Sequence, residues 1–296
     1  MATKKSILLT GGWLVLTLYA LLKILTGTGV ITLPAYVSVI LLFGFSIIHC
    51  ISRYGAKTFF AFFGLTFIVA WAYESLSIAT GIPFGHYCYS DNLGIKLGNV
   101  PIFIMASYFA VGYLSWTLAF ILLEKNSNIL KGKYLFIIPV IAAFVMVMWD
   151  VASDPVPSTI HQNWIWKDGG PYFGVPFQNF LGWYLCVLTI YLSFALFLSK
   201  TAQPVNTYSK EKSFWAIPAL MYASVQLSLP FQALFAVNEK VHAFGSIYSK
   251  SSVCTPGNPV QTWQSGDIYF SMTIIWIFGM VFLAVLSLFM IYKNQE

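Results

Sequence analysis

Charge is scarce in this chain. Only 9% of its 296 residues are Asp, Glu, Lys or Arg, where a soluble domain carries roughly 25%. That deficit excludes an ordinary cytosolic enzyme and a disordered or collagen-like chain. Arginine occurs once, at Arg53, and the net charge of +6 comes from lysines spread thinly between apolar blocks. Such spacing makes no basic patch, so no nucleic-acid partner is expected. Histidine and cysteine number four each. They form no CxxC pair, no HExxH and no clustered His boxes, which excludes zinc-protease and di-iron desaturase chemistry and leaves no metal site to assign. Neither a Walker A loop nor a GxGxxG fingerprint occurs, so neither ATP nor NAD is implied. No cofactor is expected.

What the chain does have is apolar and aromatic bulk. Hydrophobic residues make up 58% and aromatics 18%, and the mean hydropathy is +0.75. A spanning helix needs about 20 apolar residues. By that measure eight spans are predicted, over 6–25, 30–50, 58–80, 100–123, 134–151, 175–198, 214–237 and 267–291. The first contains Gly11, Gly12 and Lys23, and Lys4 and Lys5 before it also fit a signal peptide. No small-x-small cleavage site follows, so a retained helix is expected. The expected fold is all-α: a polytopic transmembrane bundle, with residues 1–296 as a single transmembrane domain.

Lysine placement sets the expected orientation. One set of connections holds Lys4, Lys5, Arg53, Lys57, Lys125, Lys131, Lys133, Lys200, Lys210, Lys212 and Lys293. The opposite set holds only Lys23, Lys96, Lys167, Lys240 and Lys250. Both termini are therefore expected in the cytoplasm, in a multi-pass protein of the inner or plasma membrane. The three longest loops, 81–99, 152–174 and 238–266, then fall outside. They are rich in Gly, Pro, Tyr and Trp, as a lid at a membrane interface would be. Cys88 and Cys254 both lie in these loops. An oxidising compartment would allow them to bridge, provided their Cα atoms lie about 4.4–6.8 Å apart.

Three carboxylates stand out against the apolar background: Glu74 inside span three, and Asp150 and Asp154 at the end of span five. A carboxylate within a span costs roughly 2.5–3.5 kcal/mol and marks a functional site by default. Asp150 and Asp154 share a helix face, and Pro155 is expected to end the helix at Asp154. The bland reading is that these acids cap helices or bond Trp and Tyr groups. Glu74 precedes Val100-Pro101, and Asp150 precedes Val175-Pro176, at nearly equal spacing, as two helical hairpins facing each other would show. Each proline fits the first turn of the following span.

Acids kept from water in an apolar cavity suit protonation of a carbon–carbon double bond. The resulting tertiary cation needs aromatic faces. Candidate substrate-binding residues are His86, Tyr87, Tyr89, Trp149, Trp164, Trp166, Tyr172, Asn179 and Trp183, with Glu74, Asp150 and Asp154 catalytic. Asp150 or Asp154 is the expected proton donor, and Glu74 orients water or stabilises the cation. Asn179 and Gln178 are placed to hold that water. The expected partners are an apolar polyene or isoprenoid substrate, water and membrane lipid.

Two blocks of residues carry a family resemblance. The first is Glu74, then Thr80-Gly81-Ile82-Pro83-Phe84-Gly85-His86-Tyr87-Cys88-Tyr89 and Gly98-Asn99-Val100-Pro101. The second is Asp150-Val-Ala-Ser-Asp154-Pro155, Trp164-Ile-Trp166, Gly170-Pro-Tyr172-Phe-Gly174-Val-Pro176 and Asn179-Phe-Leu-Gly182-Trp183. Residues 58–200 thereby resemble the membrane carotenoid-biosynthesis proteins, and within them the carotenoid 1,2-hydratase family. The resemblance implies cofactor-free hydration of the terminal double bond of an acyclic carotenoid. The residues leave other readings open. A terpene cyclase would use the same protonation. Asp150-x-x-x-Asp154 is also similar to the magnesium-binding aspartates of membrane prenyltransferases, and a non-enzymatic lipid-binding or transport protein would share the composition.

Overall fold

The computed structural model describes residues 2–124, 130–201, 208, 210–244, 254 and 257–293. Among them eight helical spans are long and apolar enough to cross a membrane, as the hydropathy predicts. Six are unbroken: α1 (Ala2–Gly27), α2 (Ala35–Tyr54), α3 (Ala56–Thr80), α4 (Ile102–Leu122), α5 (Tyr134–Ser153) and α6 (Phe177–Lys200). The seventh comprises α7 (Lys212–Ser224) and α8 (Ser228–Phe235). The eighth comprises α9 (Ser265–Ile275) and α10 (Phe282–Tyr292), joined by a widened turn over Trp276–Val281. Helix α4 is buried along most of its length, whereas Phe60, Ile68, Phe144 and Phe278 on other helices are exposed, as lipid-facing side chains are.

Prolines explain several local departures from the predicted boundaries. A helical proline removes the hydrogen bond to the carbonyl four residues earlier. Pro230 does this to Gln226, and the seventh span breaks there: Leu229 takes the Gln226 carbonyl at 3.1 Å instead. Pro218 orphans Phe214, whose carbonyl accepts a hydrogen bond from His49 Nε2 at 2.8 Å. Pro155 orphans Val151, whose carbonyl accepts the Tyr172 hydroxyl at 2.8 Å. With that carbonyl satisfied, Asp154 keeps helical dihedrals as the C-cap of α5, and the winding widens over Val156–Ile160. Asp154 thus stands at the end of α5, as expected from Pro155, but its own dihedrals stay helical, which corrects the expectation that the proline disfavours them there. Pro34, Pro101 and Pro176 stand at the N-caps of α2, α4 and α6, one position earlier than the first turn.

Arg53 also departs from expectation. It lies in the last turn of α2, fully buried, with its guanidinium over the rings of Tyr54, Phe120 and Trp215. Lys23, counted with the loops, lies within α1. Lys125 and Lys250, and the side chains of Lys4 and Lys5, lie outside the described residues. Leu8 and Leu9 of α1 pack with Ile121, Phe214, Met290 and Ile291. Both ends of the described chain thus share one face of the bundle.

The opposite face carries the lid. Strand β1 (Tyr87–Tyr89), the short pair β2 (Lys96–Leu97) and β3 (Val100–Pro101), and β4 (Trp164–Trp166) come from the two similar loops. Strands β1 and β4 pair antiparallel, Tyr87 opposite Trp166 and Tyr89 opposite Trp164, so the two hairpins do face each other. A third ribbon of β5 (Lys240–Phe244) and β6 (Pro259–Gln264) lies beside them. The Cys88–Cys254 disulfide ties the third loop to the first, with Cα atoms 5.5 Å apart. Beneath the lid, α6 approaches the first loop closely at Gly182, where a Cβ would sit 2.9 Å from the Pro83 carbonyl carbon.

Two outcomes test this architecture. Tyr172→Phe leaves the Val151 carbonyl unpaired and should cost about 1–3 kcal/mol, seen as a lower thermal midpoint. Pro155→Ala in the same chain restores the helical donor and should recover most of it. Removing Cys88 and Cys254 together should abolish the gel-mobility difference between reduced and oxidised protein and open the paired strands β5 and β6 to added protease.

Candidate active site

Period-two alternation in β1 sends Tyr87 and Tyr89 to one face and Cys88 to the other. That face looks down on α3, where Glu74 is only 2% exposed. Tyr87 and Tyr89 both donate their hydroxyls to Glu74 Oε2, Tyr89 at 2.9 Å. From α4, Tyr108 donates to Oε1 at 2.8 Å. Burial, and then the neighbouring Glu74 carboxylate, hold the Tyr87 and Tyr89 phenols well above their ordinary range. They remain hydrogen-bond donors throughout physiological pH. One carboxylate is thus held by three phenols from two elements.

The second acidic centre uses the i, i+4 spacing of α5. Asn179, in the first turn of α6, donates Nδ2 to Asp150 Oδ2 at 3.0 Å and to Asp154 Oδ2 at 2.8 Å. Trp164 of β4 donates its indole N–H to Asp154 Oδ1 at 2.9 Å. Among the described residues no donor engages Asp150 Oδ1. Gln178 does not join this group. Its amide donates to the Gly81 and Pro83 carbonyls and pins the first lid loop to α6.

All three acids line one cavity of about 310 Å³ between the bundle and the lid. Tyr87, Tyr89, Trp149, Trp164, Trp166, Asn179 and Trp183 line it as well. Trp183 stacks on Tyr108 with ring centroids 4.3 Å apart, and Trp149 meets Trp183 edge-on at 5.8 Å. Two expected binding residues stand elsewhere. His86 is half-exposed and pairs with Asp168 at 2.8 Å, its ring lying over Gly81, where a Cβ would come within 2.5 Å of Nε2. Tyr172 is spent on the Val151 carbonyl.

Tyr108 is the site residue that the sequence does not reveal. It lies in a helix apolar on every side, among Tyr113, Trp116 and Phe109, with no polar pattern to single it out. His161, which lines the cavity, is held below its usual range by burial. The far wall comes from α1, α2, α8 and the break between α7 and α8, including Lys23, Gln226 and Gln232. Among the described residues, no cluster of three His, Cys, Asp or Glu side chains has metal-binding geometry.

Known proteins give this geometry a context. Bisanhydrobacterioruberin hydratase from Haloarcula japonica is 29% identical over 119 residues, a stretch covering 40% of this chain and 38% of that protein. The chain therefore matches well under two thirds of that relative's length. No solved structure matches the chain. The sequence model of the carotenoid biosynthesis proteins matches residues 19–243, a wider region than 58–200, taking in the cavity walls of α1, α2 and α8. The chain belongs to the carotenoid biosynthesis protein family.

Proposed function

We propose that the chain is a membrane enzyme that adds water to a terminal carbon–carbon double bond of an acyclic carotenoid or similar polyprenoid. The observation that carries this reading is the gathering of Glu74, Asp150 and Asp154 in one aromatic cavity closed by a lid. The Haloarcula relative, a hydratase by name, points the same way. Ligand pockets run roughly 300–1,000 Å³, so a cavity of about 310 Å³ suits one end of a long chain. Leu33, in the connection just before the N-cap of α2, lines the cavity and is 41% exposed, which favours entry from the bilayer between α1 and α2.

In this reading Asp150 is the general acid, because among the described residues its Oδ1 alone of the paired aspartate oxygens is left without a donor. Its proton passes to the less substituted alkene carbon, and the π electrons form that C–H bond. The tertiary cation left behind faces the Trp183–Tyr108 stack and Trp149, where each favourable ring is worth about 0.5–2 kcal/mol. Water adds to the cation, and its extra proton returns to a carboxylate of the same trio. Alkene and water are consumed, alcohol forms, and no electron changes hands. Glu74, held by its three phenols, anchors the charge opposite the cation.

Prenyl transfer fits less well. The Asn179 amide stands between the two aspartates at 3.0 and 2.8 Å, where a bridging magnesium ion would need to sit. Arg53 is at the opposite face of the bundle from the acids. As to orientation, we place the lid outside and both termini in the cytoplasm. The lysine distribution and a disulfide in the lid support this, since disulfides persist in oxidising compartments.

Asp150→Asn should lower turnover by roughly 10²–10⁴-fold, as loss of a general acid does, while the protein still inserts. Asp154→Asn and Glu74→Gln should each lose most activity. Near-normal turnover in all three would return the acids to a structural role. In ¹⁸O-labelled water the expected product is a labelled tertiary alcohol. An unlabelled isomer of unchanged mass would mean cyclisation, and a strict need for magnesium and a diphosphate donor would defeat both.

A further inference from the structure

The proposed reaction leaves one charged cavity residue unused. Tyr19, Leu22, Lys23 and Thr26 form the cavity-lining face of α1, at helical spacing. Lys23 lies one turn before Gly27, where α1 presses against α8 so closely that a Cβ would meet the Ser228 carbonyl oxygen at 2.7 Å. That contact holds Lys23 on the wall that Gln226 and Gln232 also line. Among the described residues no carboxylate lies within ion-pair distance of the Lys23 ammonium, and no side-chain hydrogen bond engages it.

A hydrocarbon end offers nothing to an ammonium group or to two amides. Groups of this kind inside a membrane protein need a partner. An anionic ligand is disfavoured by the Glu74 carboxylate, which lines the same cavity. A neutral oxygen is not: a hydroxyl or carbonyl accepts from the ammonium and adds no charge. We propose that Lys23, with Gln226 and Gln232, forms an oxygen-binding subsite, and that the preferred ligand is an oxygenated polyprenoid carrying a hydroxyl or carbonyl group, not a pure hydrocarbon. This rests on reading the cavity as a polyprenoid site, and it adds a second recognition element distinct from the acids.

Binding tests it without turnover. Trp149, Trp164, Trp166 and Trp183 line the cavity, so a bound polyene quenches their emission. The probes are a matched pair, an acyclic polyene hydrocarbon and its keto analogue, titrated into the full chain in lipid nanodiscs. A hydrogen bond from a charged donor corresponds to about tenfold or more in affinity. The wild-type chain should prefer the keto polyene by that factor. Lys23→Met should abolish the preference and leave hydrocarbon affinity within about twofold, and Gln226→Leu should reduce it in part. Lys23→Gln, which keeps a donor without charge, serves the same comparison if the Met variant does not insert. Equal wild-type affinity for both polyenes, or equal weakening of both by the substitution, would overturn the subsite and leave the hydration reading standing. Binding of neither polyene would overturn both.

Discussion

Burying a carboxylate inside an apolar bundle demands donors, and the helices of this protein supply few of them. Glu74 takes one phenol from α4 and two from the lid. Asp154 takes an amide from α6 and an indole from the lid. The lid is therefore part of the acids' solvation. If it were lifted, Glu74 would keep one of its three phenols and Asp154 would lose the donor to Oδ1. Bundle and lid each complete the other's hydrogen bonds, and the cavity exists because they do.

A short antiparallel ribbon makes this arrangement possible. Three residues of β1 against three of β4 are too few to fold alone. They are fixed by ring contacts between Tyr87 and Trp166 and between Tyr89 and Trp164, and by the disulfide on the other face of β1. Alternation along β1 separates the two tasks cleanly. Residues 87 and 89 serve the acid, and residue 88 serves the covalent tie.

Proline has a comparable structural role within the spans. Each internal proline frees a carbonyl that lipid cannot satisfy, and His49 and Tyr172 meet two of these needs. The winding past Pro155 carries the chain from Asp154 towards β4, so that Trp164 returns to bond the same aspartate. A helix defect thus brings acid and lid donor together. The same chemistry that makes the spans legible, the cost of an unpaired polar group in hydrocarbon, also dictates where their irregularities are tolerated.

The eight spans, the three loops of the lid and the unusual carboxylates were all legible in the sequence. Bilayer thickness imposes a length on apolar runs, and an acid inside one stands out against them. The Cys88–Cys254 pair was legible as a possibility, because both residues fell in loops on the same side. Whether they met was decided by the pairing of lid strands, which no local pattern encodes. The tertiary structure also decided that Tyr108 serves Glu74, that Gln178 holds a loop while Asn179 bridges the aspartates, and that His86 faces Asp168 away from the cavity. It decided as well that α1, α2 and α8 close the far wall with Lys23. Composition and periodicity report what a residue costs to bury and which face of its own element it occupies. They do not report which foreign element lies opposite, and every hydrogen bond that defines this site joins residues brought together from different elements.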